Sequence, residues 1–193
     1  MHKNKFLNLQ IVQLNTNNFN ENSLDGFILK QRVTNCWRKI NGEYQLLPVC
    51  YTEEWNLCER KQMAQKIISA IRCKATAIAA FIDNSVVGFA LLSNYLFGNE
   101  KKYIDLAEFY VSEPYRRNGI GKLLFDKICL EARRLGARKL YISAHSAEES
   151  IAAYKKYGCV LAEEPDIAHI DKEPFDLQLE YDLFHNIYEM QDK

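Results

Sequence analysis

One short segment of the chain combines glycines and basic residues in a spacing that suits phosphate binding. It reads Arg116-Arg117-Asn118-Gly119-Ile120-Gly121-Lys122, after an apolar run and before an amphipathic one. Glycines let the backbone approach a ligand closely, and a helix start offers unpaired N–H groups and the positive end of its dipole. Arg116, Arg117 and Lys122 add positive charge, so the segment predicts an anion site at a helix N-terminus.

Two other phosphate motifs do not fit this segment. A Walker loop requires G-x-x-x-x-G-K-[ST], which the sequence does not contain. A dinucleotide fingerprint requires a third glycine where Leu124 stands, and an early βαβ unit that is not predicted here. A basic turn that only caps a helix is the remaining alternative.

Strands and helices alternate around this segment. Ala75–Ile82 and Val86–Phe97 are apolar runs joined by the turn residues Asp83-Asn84-Ser85, which predicts a hairpin. The residue patterns further predict strands at 7–14, 103–111, 138–143, 159–162 and 175–181, with helices at 119–135 and 147–157. Between the first strand and the hairpin they predict an Asn-rich turn at 15–22 and a helix that is capped by Ser23, reaches Lys39 and is ended by Asn41-Gly42. An irregular segment at 44–51 and a helix from Thr52 are predicted to follow. This order predicts a mixed α/β sheet flanked by helices.

The composition of the chain argues against several classes of function. With 193 residues and 48% apolar side chains, the chain can bury the core of one domain. Its 25 basic and 25 acidic residues cancel, which argues against a general nucleic-acid binder. No stretch has the ~18 apolar residues of a membrane span and no signal peptide is visible, so we expect a cytoplasmic protein without membrane contact. The six cysteines lack metal-ligand spacing, which favours free buried thiols and no metal.

Two motifs together resemble the GNAT superfamily of acyl-CoA-dependent N-acetyltransferases. Arg116-x-x-Gly119-x-Gly121 matches the family's [RQ]-x-x-G-x-[GA] pyrophosphate loop. About thirty residues later, the segment Ser150–Cys159 is similar to the family's A-x-x-x-Y-x-x-x-G-F pattern, with Tyr154 and Gly158 in place. The predicted element order also agrees. The resemblance is strong over about 75–162, and elsewhere it rests on pattern.

The resemblance implies a fold, a cofactor and its binding residues. The fold is α/β, with a mixed sheet of about seven strands, about four helices, and splayed fourth and fifth strands. The whole chain, 1–193, is then a single acetyltransferase domain with an acetyl-CoA-binding core at about 75–162 and substrate-side helices at about 23–72. Acetyl-CoA is the acyl donor, and the residues implied to bind it are Phe109, Tyr110, Val111, Arg116, Arg117, Asn118, Gly119, Ile120, Gly121, Lys122, Ser146 and Ser150.

The implied reaction moves an acetyl group from a thioester to an amine, which must first lose a proton. Asp105 and Glu108 are the candidate general bases, and we favour Glu108. Strand alternation puts Asp105 with Phe109 on one face and Glu108 with Tyr110 on the other, so only one carboxylate faces the cleft unless a bulge intervenes. A structural carboxylate is the alternative for either residue. His145, near the end of the fifth strand, is a further candidate base.

Tyr154 occupies the position of the family's general acid, which protonates the departing thiolate. The alternative is that Tyr154 only packs, as we expect for Tyr157. An Asn that usually precedes the Tyr by seven positions is replaced by Ala147, and Ser146, Ser150 or His145 is expected to supply the missing hydrogen bonds.

The acceptor is predicted to be a primary amine of a small molecule. Aromatic and acidic residues before and within the hairpin would suit a cationic amine. They are Trp37, Tyr44, Tyr51, Trp55, Tyr95, Glu53 and Glu54. A protein or peptide acetyltransferase and a non-catalytic acyl-CoA sensor are the alternatives. A homodimer is left open.

Overall fold

The computed structural model describes residues 8–184. The strands are β1 Gln10–Gln13, β2 Lys30–Ile40, β3 Glu43–Glu54, β4 Ala77–Ile82, β5 Ser85–Phe97, β6 Tyr103–Val111, β7 Lys139–Ala144, β8 Val160–Leu161 and β9 Leu177–Asp182. The α-helices are α1 Leu57–Arg72, α2 Ile120–Arg134, α3 Glu148–Tyr157 and α4 Ile167–Lys172. Two 3₁₀ turns, Asn99–Lys101 and Glu113–Tyr115, flank β6.

A seven-stranded mixed sheet has the order β1-β4-β5-β6-β7-β9-β8, and β2 and β3 form a separate two-stranded sheet. This confirms the predicted fold class of a mixed α/β sheet with about seven strands and four helices. In chain order β6 and β7 are the fourth and fifth strands of the large sheet. Their parallel pairing covers Tyr103–Asp105 and Lys139–Tyr141, whereas β7 pairs with β9 along its whole length to Ala144. The short pairing agrees with the splayed strands that were predicted.

The β4–β5 hairpin is confirmed where the sequence predicted it. Asp83 and Asn84 have φ values of 47° and 62°, the left-handed conformation that a two-residue type I′ turn requires. The hairpin registers Ile82 with Ser85 and Ala77 with Leu91, with an irregularity at Ala80 and Phe81. The strands and helices predicted from 103 to 161 are also confirmed to within a few residues.

The segment from 23 to 54 contradicts the sequence prediction. Where a helix from Ser23 to Lys39 and an irregular stretch at 44–51 were expected, the chain forms turns and then the β2–β3 hairpin. Asn41 and Gly42 have φ values of 51° and 89°, so they make a hairpin turn and do not end a helix. Of the two helices expected at about 23–72, the first is therefore wrong and the second is present as α1.

The start of α1 also differs from the prediction. Asn56, not Thr52, is the N-cap, because its side chain accepts a hydrogen bond from the Glu59 N–H at 3.1 Å. The Glu59 carboxylate in turn accepts from the Asn56 N–H at 2.7 Å, which completes a capping box. The first strand spans only Gln10–Gln13, and Leu7 of the predicted strand lies outside the described residues.

The described residues form two compact units. The first contains 8–31, 53–94 and 107–131, and its apolar core packs α1 against the β4–β5 hairpin. Its largest buried side chains include Phe19, Phe27 and Phe89.

The second unit contains 32–52, 95–106 and 132–184. The rings of Tyr103 and Tyr141 meet edge to face at 5.5 Å and are fully buried. In this unit the β2–β3 hairpin contacts the segment that follows β7. The Trp37 N–H donates to the Ser146 carbonyl at 2.8 Å, and Cys36 and Ala147 form an isolated antiparallel β-bridge.

All six cysteines are free, but only Cys36, Cys129 and Cys159 are buried. The expectation of buried thiols is therefore wrong for the other three, Cys50, Cys58 and Cys73, which are exposed. Within 8–184, no helix is both long and apolar enough to cross a membrane.

Candidate functional site

The loop between β6 and α2 has the backbone shape of an anion site. Arg117 and Gly119 adopt left-handed φ values of 60° and 84°, and the Asn118 amide donates to the Arg116 carbonyl at 2.9 Å. A Cβ built on Gly119 would meet no atom within 4 Å, so the space in front of the loop is open. α2 begins at Ile120, and the first N–H groups of a helix have no partner inside it. The backbone of the loop is therefore compatible with an anion at the N-terminus of α2, and binding of a diphosphate there stays a prediction.

The Arg116 side chain is bonded to two backbone carbonyls of the protein. Its Nε donates to the Val111 carbonyl at 2.9 Å, and Nη1 donates to the Lys30 carbonyl at 2.9 Å. Burial lowers the pKa of its guanidinium from the usual value, although Glu113 and Glu53 oppose this change. Arg116 thus links the end of β6 to the start of β2 through its side chain. Lys122 is also engaged, since it forms an ion pair with Asp126 one turn further along α2.

Glu108 lies on the side of β6 that faces α1. Its carboxylate is 7% exposed and forms an ion pair with Lys66, whose side chain is 49% exposed. Tyr110, two residues further, packs its ring 4.9 Å from that of Trp55. Phe109 points the other way, edge to face with Phe125 of α2 at 6.1 Å. The predicted alternation of side chains along β6 is therefore confirmed for these residues.

Asp105 lies in the second unit and is held by a histidine of α4. The Nε2 atom of His169 is 3.3 Å from the Asp105 carboxylate, and its Nδ1 atom is 2.7 Å from that of Asp166. The ring also stacks on Phe97, with centroids 5.7 Å apart. The bond to Asp105 raises the pKa of His169 to about 9, which burial opposes and Asp166 reinforces. Asp105 therefore faces an imidazolium at neutral pH.

Tyr154 is half-buried on α3, which ends at Gly158 in the left-handed conformation, φ 97°. Ser150 lies in the first turn of the same helix, and Ser146 is buried just before it. The Ser146 hydroxyl accepts a hydrogen bond from Arg38 Nη1 at 2.6 Å. Ser146 is thus bonded to Arg38, a residue that the sequence did not mark as part of the site.

His145 connects the end of β7 to β3. Its Nε2 is 3.0 Å from the Tyr51 hydroxyl, while its Nδ1 accepts from the Ala147 N–H at 3.4 Å. Because Nδ1 accepts, the neutral ring carries its proton on Nε2 and donates it to Tyr51. Tyr51 also lies 3.7 Å from the Cys36 thiol.

The structure thus divides the predicted site residues between the two units. The first unit brings together Glu108, Phe109, Tyr110, Val111 and the whole 116–122 loop. The second contains Asp105, Ser146, Ser150 and Tyr154. Sequence reasoning missed Lys66, His169 and Arg38, because each is identified only by a partner distant in the chain.

The acidic residues expected to suit a cationic amine are partly engaged by cations of the protein. Glu54 forms an ion pair with Lys30 at 3.0 Å. The negative charge of Glu53 acts to raise the pKa of Arg116, against the larger effect of burial. Among residues 8–184, no cluster of three or more His, Cys, Asp or Glu side chains could hold a metal ion.

The mixed sheet, the parallel pair β6–β7 and the glycine loop before α2 define an acyltransferase of the coenzyme A-dependent type. The family described as "Acetyltransferase (GNAT) family" matches residues 40–159. The chain belongs to this family and is an acetyl-CoA-dependent N-acetyltransferase. No curated protein sequence matches the chain significantly.

Solved structures of acetyltransferases share the fold. A nourseothricin acetyltransferase superposes with a TM-score of 0.67 at 16% identity, over 91% of this chain and 98% of its own. A putative streptothricin acetyltransferase from Bacillus anthracis, in complex with acetyl-CoA, has a TM-score of 0.62 at 18% identity, over 90% and 96%. An N-acetyltransferase from Staphylococcus aureus has a TM-score of 0.53 at 20% identity, over 91% and 99%.

Proposed function

We propose that this enzyme acetylates a primary amine of a small molecule. The left-handed backbone at Arg117 and Gly119, directly between β6 and α2, carries the proposal because it presents helix N–H groups to a diphosphate. Two similar folds belong to acetyltransferases named for small molecules, nourseothricin and streptothricin, which supports the acceptor class. Both align over about nine-tenths of this chain, which supports one acetyltransferase domain spanning 1–193. The three exposed thiols suit a reducing, cytoplasmic location.

Acetyl-CoA supplies the thioester carbonyl carbon that the neutral amine attacks, so that a C–N bond forms as the C–S bond breaks. An aliphatic amine has a pKa near 10.4, so removing its proton at pH 7 costs about 4 to 5 kcal/mol. We assign this proton to Glu108. Its carboxylate is buried beside Tyr110 and Val111 on the strand that leads into the phosphate-binding loop.

The partners of the two strand carboxylates favour Glu108 over Asp105. Lys66 reaches Glu108 with a flexible, half-exposed side chain, so an incoming ammonium group can take its place beside the carboxylate. His169 is held at both ring nitrogens and stacked on Phe97, so it cannot leave Asp105 without breaking several contacts. Glu108 is therefore the carboxylate that can exchange its partner for substrate.

Tyr154 is assigned to the proton that the departing thiolate needs. The Tyr154 hydroxyl can donate a hydrogen bond to the sulfur and supply its proton as the C–S bond breaks. The N–H groups of Ser112 and Glu113 already donate to the Val87 and Ile28 carbonyls, so we assign to the Val111 N–H the task of stabilising the negative charge that develops on the carbonyl oxygen.

The test compares Y154F and E108Q with a control variant, Y157F, on the same helix. Each would be assayed by release of free thiol from acetyl-CoA with a panel of small amines, and by calorimetric binding of acetyl-CoA. General acid–base catalysis contributes about 10²–10⁴-fold, so we expect kcat losses of this order for Y154F and E108Q with little change in acetyl-CoA affinity. Y157F should remain active.

Failure of the wild type to bind acetyl-CoA would contradict the proposed function as a whole. Full activity of Y154F would remove the general-acid assignment alone. If the enzyme acetylated peptides but no small amine, the proposed small-molecule acceptor would be wrong and the substrate would be a peptide or protein.

A further inference from the structure

Arg38 of β2 is a half-buried guanidinium with a fixed orientation. Its Nη1 donates to the Ser146 hydroxyl at 2.6 Å and to its neighbour Trp37's carbonyl at 2.8 Å. Its central carbon lies 4.8 Å from the centroid of the Phe175 ring. Two hydrogen bonds and one stacked ring therefore hold the side chain in place, all within the second unit.

No carboxylate in the described part of the chain lies within 4.0 Å of the Arg38 guanidinium. Several other cations are paired with carboxylates, among them Lys30 with Glu54, Lys66 with Glu108 and Lys139 with Glu180. An arginine has five N–H donors, of which the two on Nη1 are used here. The donors on Nε and Nη2 form a planar fork that matches a carboxylate or phosphate.

Arg38 is hydrogen-bonded to the segment that leads into α3, the helix that carries a proposed catalytic group. Ser146, to which it is bonded, comes two residues before the start of α3, and α3 presents Tyr154. On the other side of Ser146, His145 is bonded to the Tyr51 hydroxyl. The Asp176 carboxylate near this end of β7 accepts a hydrogen bond from the Ser143 hydroxyl at 3.2 Å, and no acidic side chain of the described residues is bonded to Arg38.

We propose that Arg38 selects acceptor amines that also carry an anionic group, with a carboxylate as the chemistry that fits its fork best. This inference rests on the proposed function and specifies the substrate class. It differs from the sequence expectation of a cationic acceptor, whose acidic residues Glu53 and Glu54 already face Arg116 and Lys30.

The test uses pairs of amines that differ only in the anion. They are ω-amino acids against alkylamines of the same length, and α-amino acids against their methyl amides. The enzymes are the wild type, R38Q, R38K and the control R32Q, since Arg32 is an exposed arginine of the same strand. A hydrogen-bonded ion pair contributes about 1.5–3 kcal/mol, which corresponds to about 10- to 100-fold in kcat/KM.

We expect the wild type and R32Q to prefer the carboxylate-bearing member of each pair by about this factor. R38Q should lose the preference, because its kcat/KM should fall much further for the carboxylate-bearing member of each pair than for the neutral one. R38K keeps the charge without the fork, so it should recover part of the preference.

A wild type that treats both members of a pair alike would overturn the inference, and so would an R38Q that loses both activities equally. The phosphates of acetyl-CoA are another source of an anion. If R38Q weakens binding of acetyl-CoA but not of 3′-dephospho-acetyl-CoA, Arg38 binds the coenzyme and the inference is wrong. Loss of acetyl-CoA binding by the wild type would instead contradict the proposed function, which separates the two failures.

Discussion

His169 is expected to make the stability of the protein fall as the pH rises above neutral. In the folded chain its ring lies between the carboxylates of Asp105 and Asp166, and the bond to Asp105 raises its pKa from 6.5 to about 9. The imidazolium therefore stabilises the folded state fully below pH 6.5. This contribution is lost as the pH rises from 6.5 through about 9, because the folded state no longer holds the extra proton.

The size of the effect follows from the difference of the two pKa values. The difference between 9 and 6.5 is 2.5 pH units, and each unit corresponds to about 1.36 kcal/mol, which gives an upper value of about 3 kcal/mol. The His169 side chain is 19% exposed, and solvent screening lowers this to about 2–3 kcal/mol. For a chain of this length we expect the melting temperature to fall by roughly 5–10 °C between pH 6.5 and pH 10.

Other groups titrate in the same range, so the assay needs variants. Burial raises the pKa of Tyr141, which contacts the His169 ring, to about 12 and keeps its phenol neutral over this range. Urea unfolding of the wild type, H169Q and H145Q at intervals from pH 6 to 10 separates these contributions. The wild type and H145Q should lose the extra 2–3 kcal/mol, and H169Q should not.

Two outcomes would refute this reasoning. One is a pH dependence that is the same in the wild type and in H169Q. The other is an NMR titration that finds the ring of His169 losing its proton near pH 6.5, as a solvent-exposed histidine does.

Two further substitutions test how the loop before α2 is built. R116K cannot bond both the Val111 and the Lys30 carbonyl, so it should lower the free energy of unfolding by about 1–3 kcal/mol, measured by urea titration; no loss would contradict this role. G119A should lose about 1 kcal/mol because Gly119 has a φ of 84°, and it should also bind acetyl-CoA more weakly by calorimetry. The control is G26A, because Gly26 also has open space at its Cβ position. Equal losses of stability and of acetyl-CoA binding in G119A and G26A would contradict a special role for the backbone of Gly119.

The part of the fold from Ala77 to Leu161 was predictable because its signals are local. The β4–β5 turn has the residues of a type I′ turn, and the face of α2 is apolar at helical spacing. The missed β2–β3 hairpin also had a local signal. Asn41-Gly42 is a preferred type I′ pair, but it was interpreted as the end of a helix. The neighbouring Val33, Thr34 and Trp37 are β-branched or aromatic, which favours the strand that forms.

Two other differences had weaker signals in the sequence. α4 spans only six residues, Ile167–Lys172, and too few of its positions repeat to show helical periodicity. β3 contains Pro48 inside a regular strand, which argues against a strand when only the sequence is known. A two-stranded sheet tolerates it because proline lacks only the N–H, and a strand in such a sheet has one side without a ladder.

The backbone of the candidate site was predictable from the sequence, whereas the ionic partners of its carboxylates were not. The loop and the alternation along β6 follow from glycine positions and strand period, which are properties of neighbouring residues. Which carboxylate can accept a proton depends on its ionic partner, and those partners lie far along the chain. Lys66 precedes Glu108 by 42 positions, and His169 comes from a helix formed long after Asp105. A flexible lysine can give way to an ammonium group whereas a histidine held at both nitrogens cannot, so our proposal of Glu108 over Asp105 rests on tertiary structure and not on strand order.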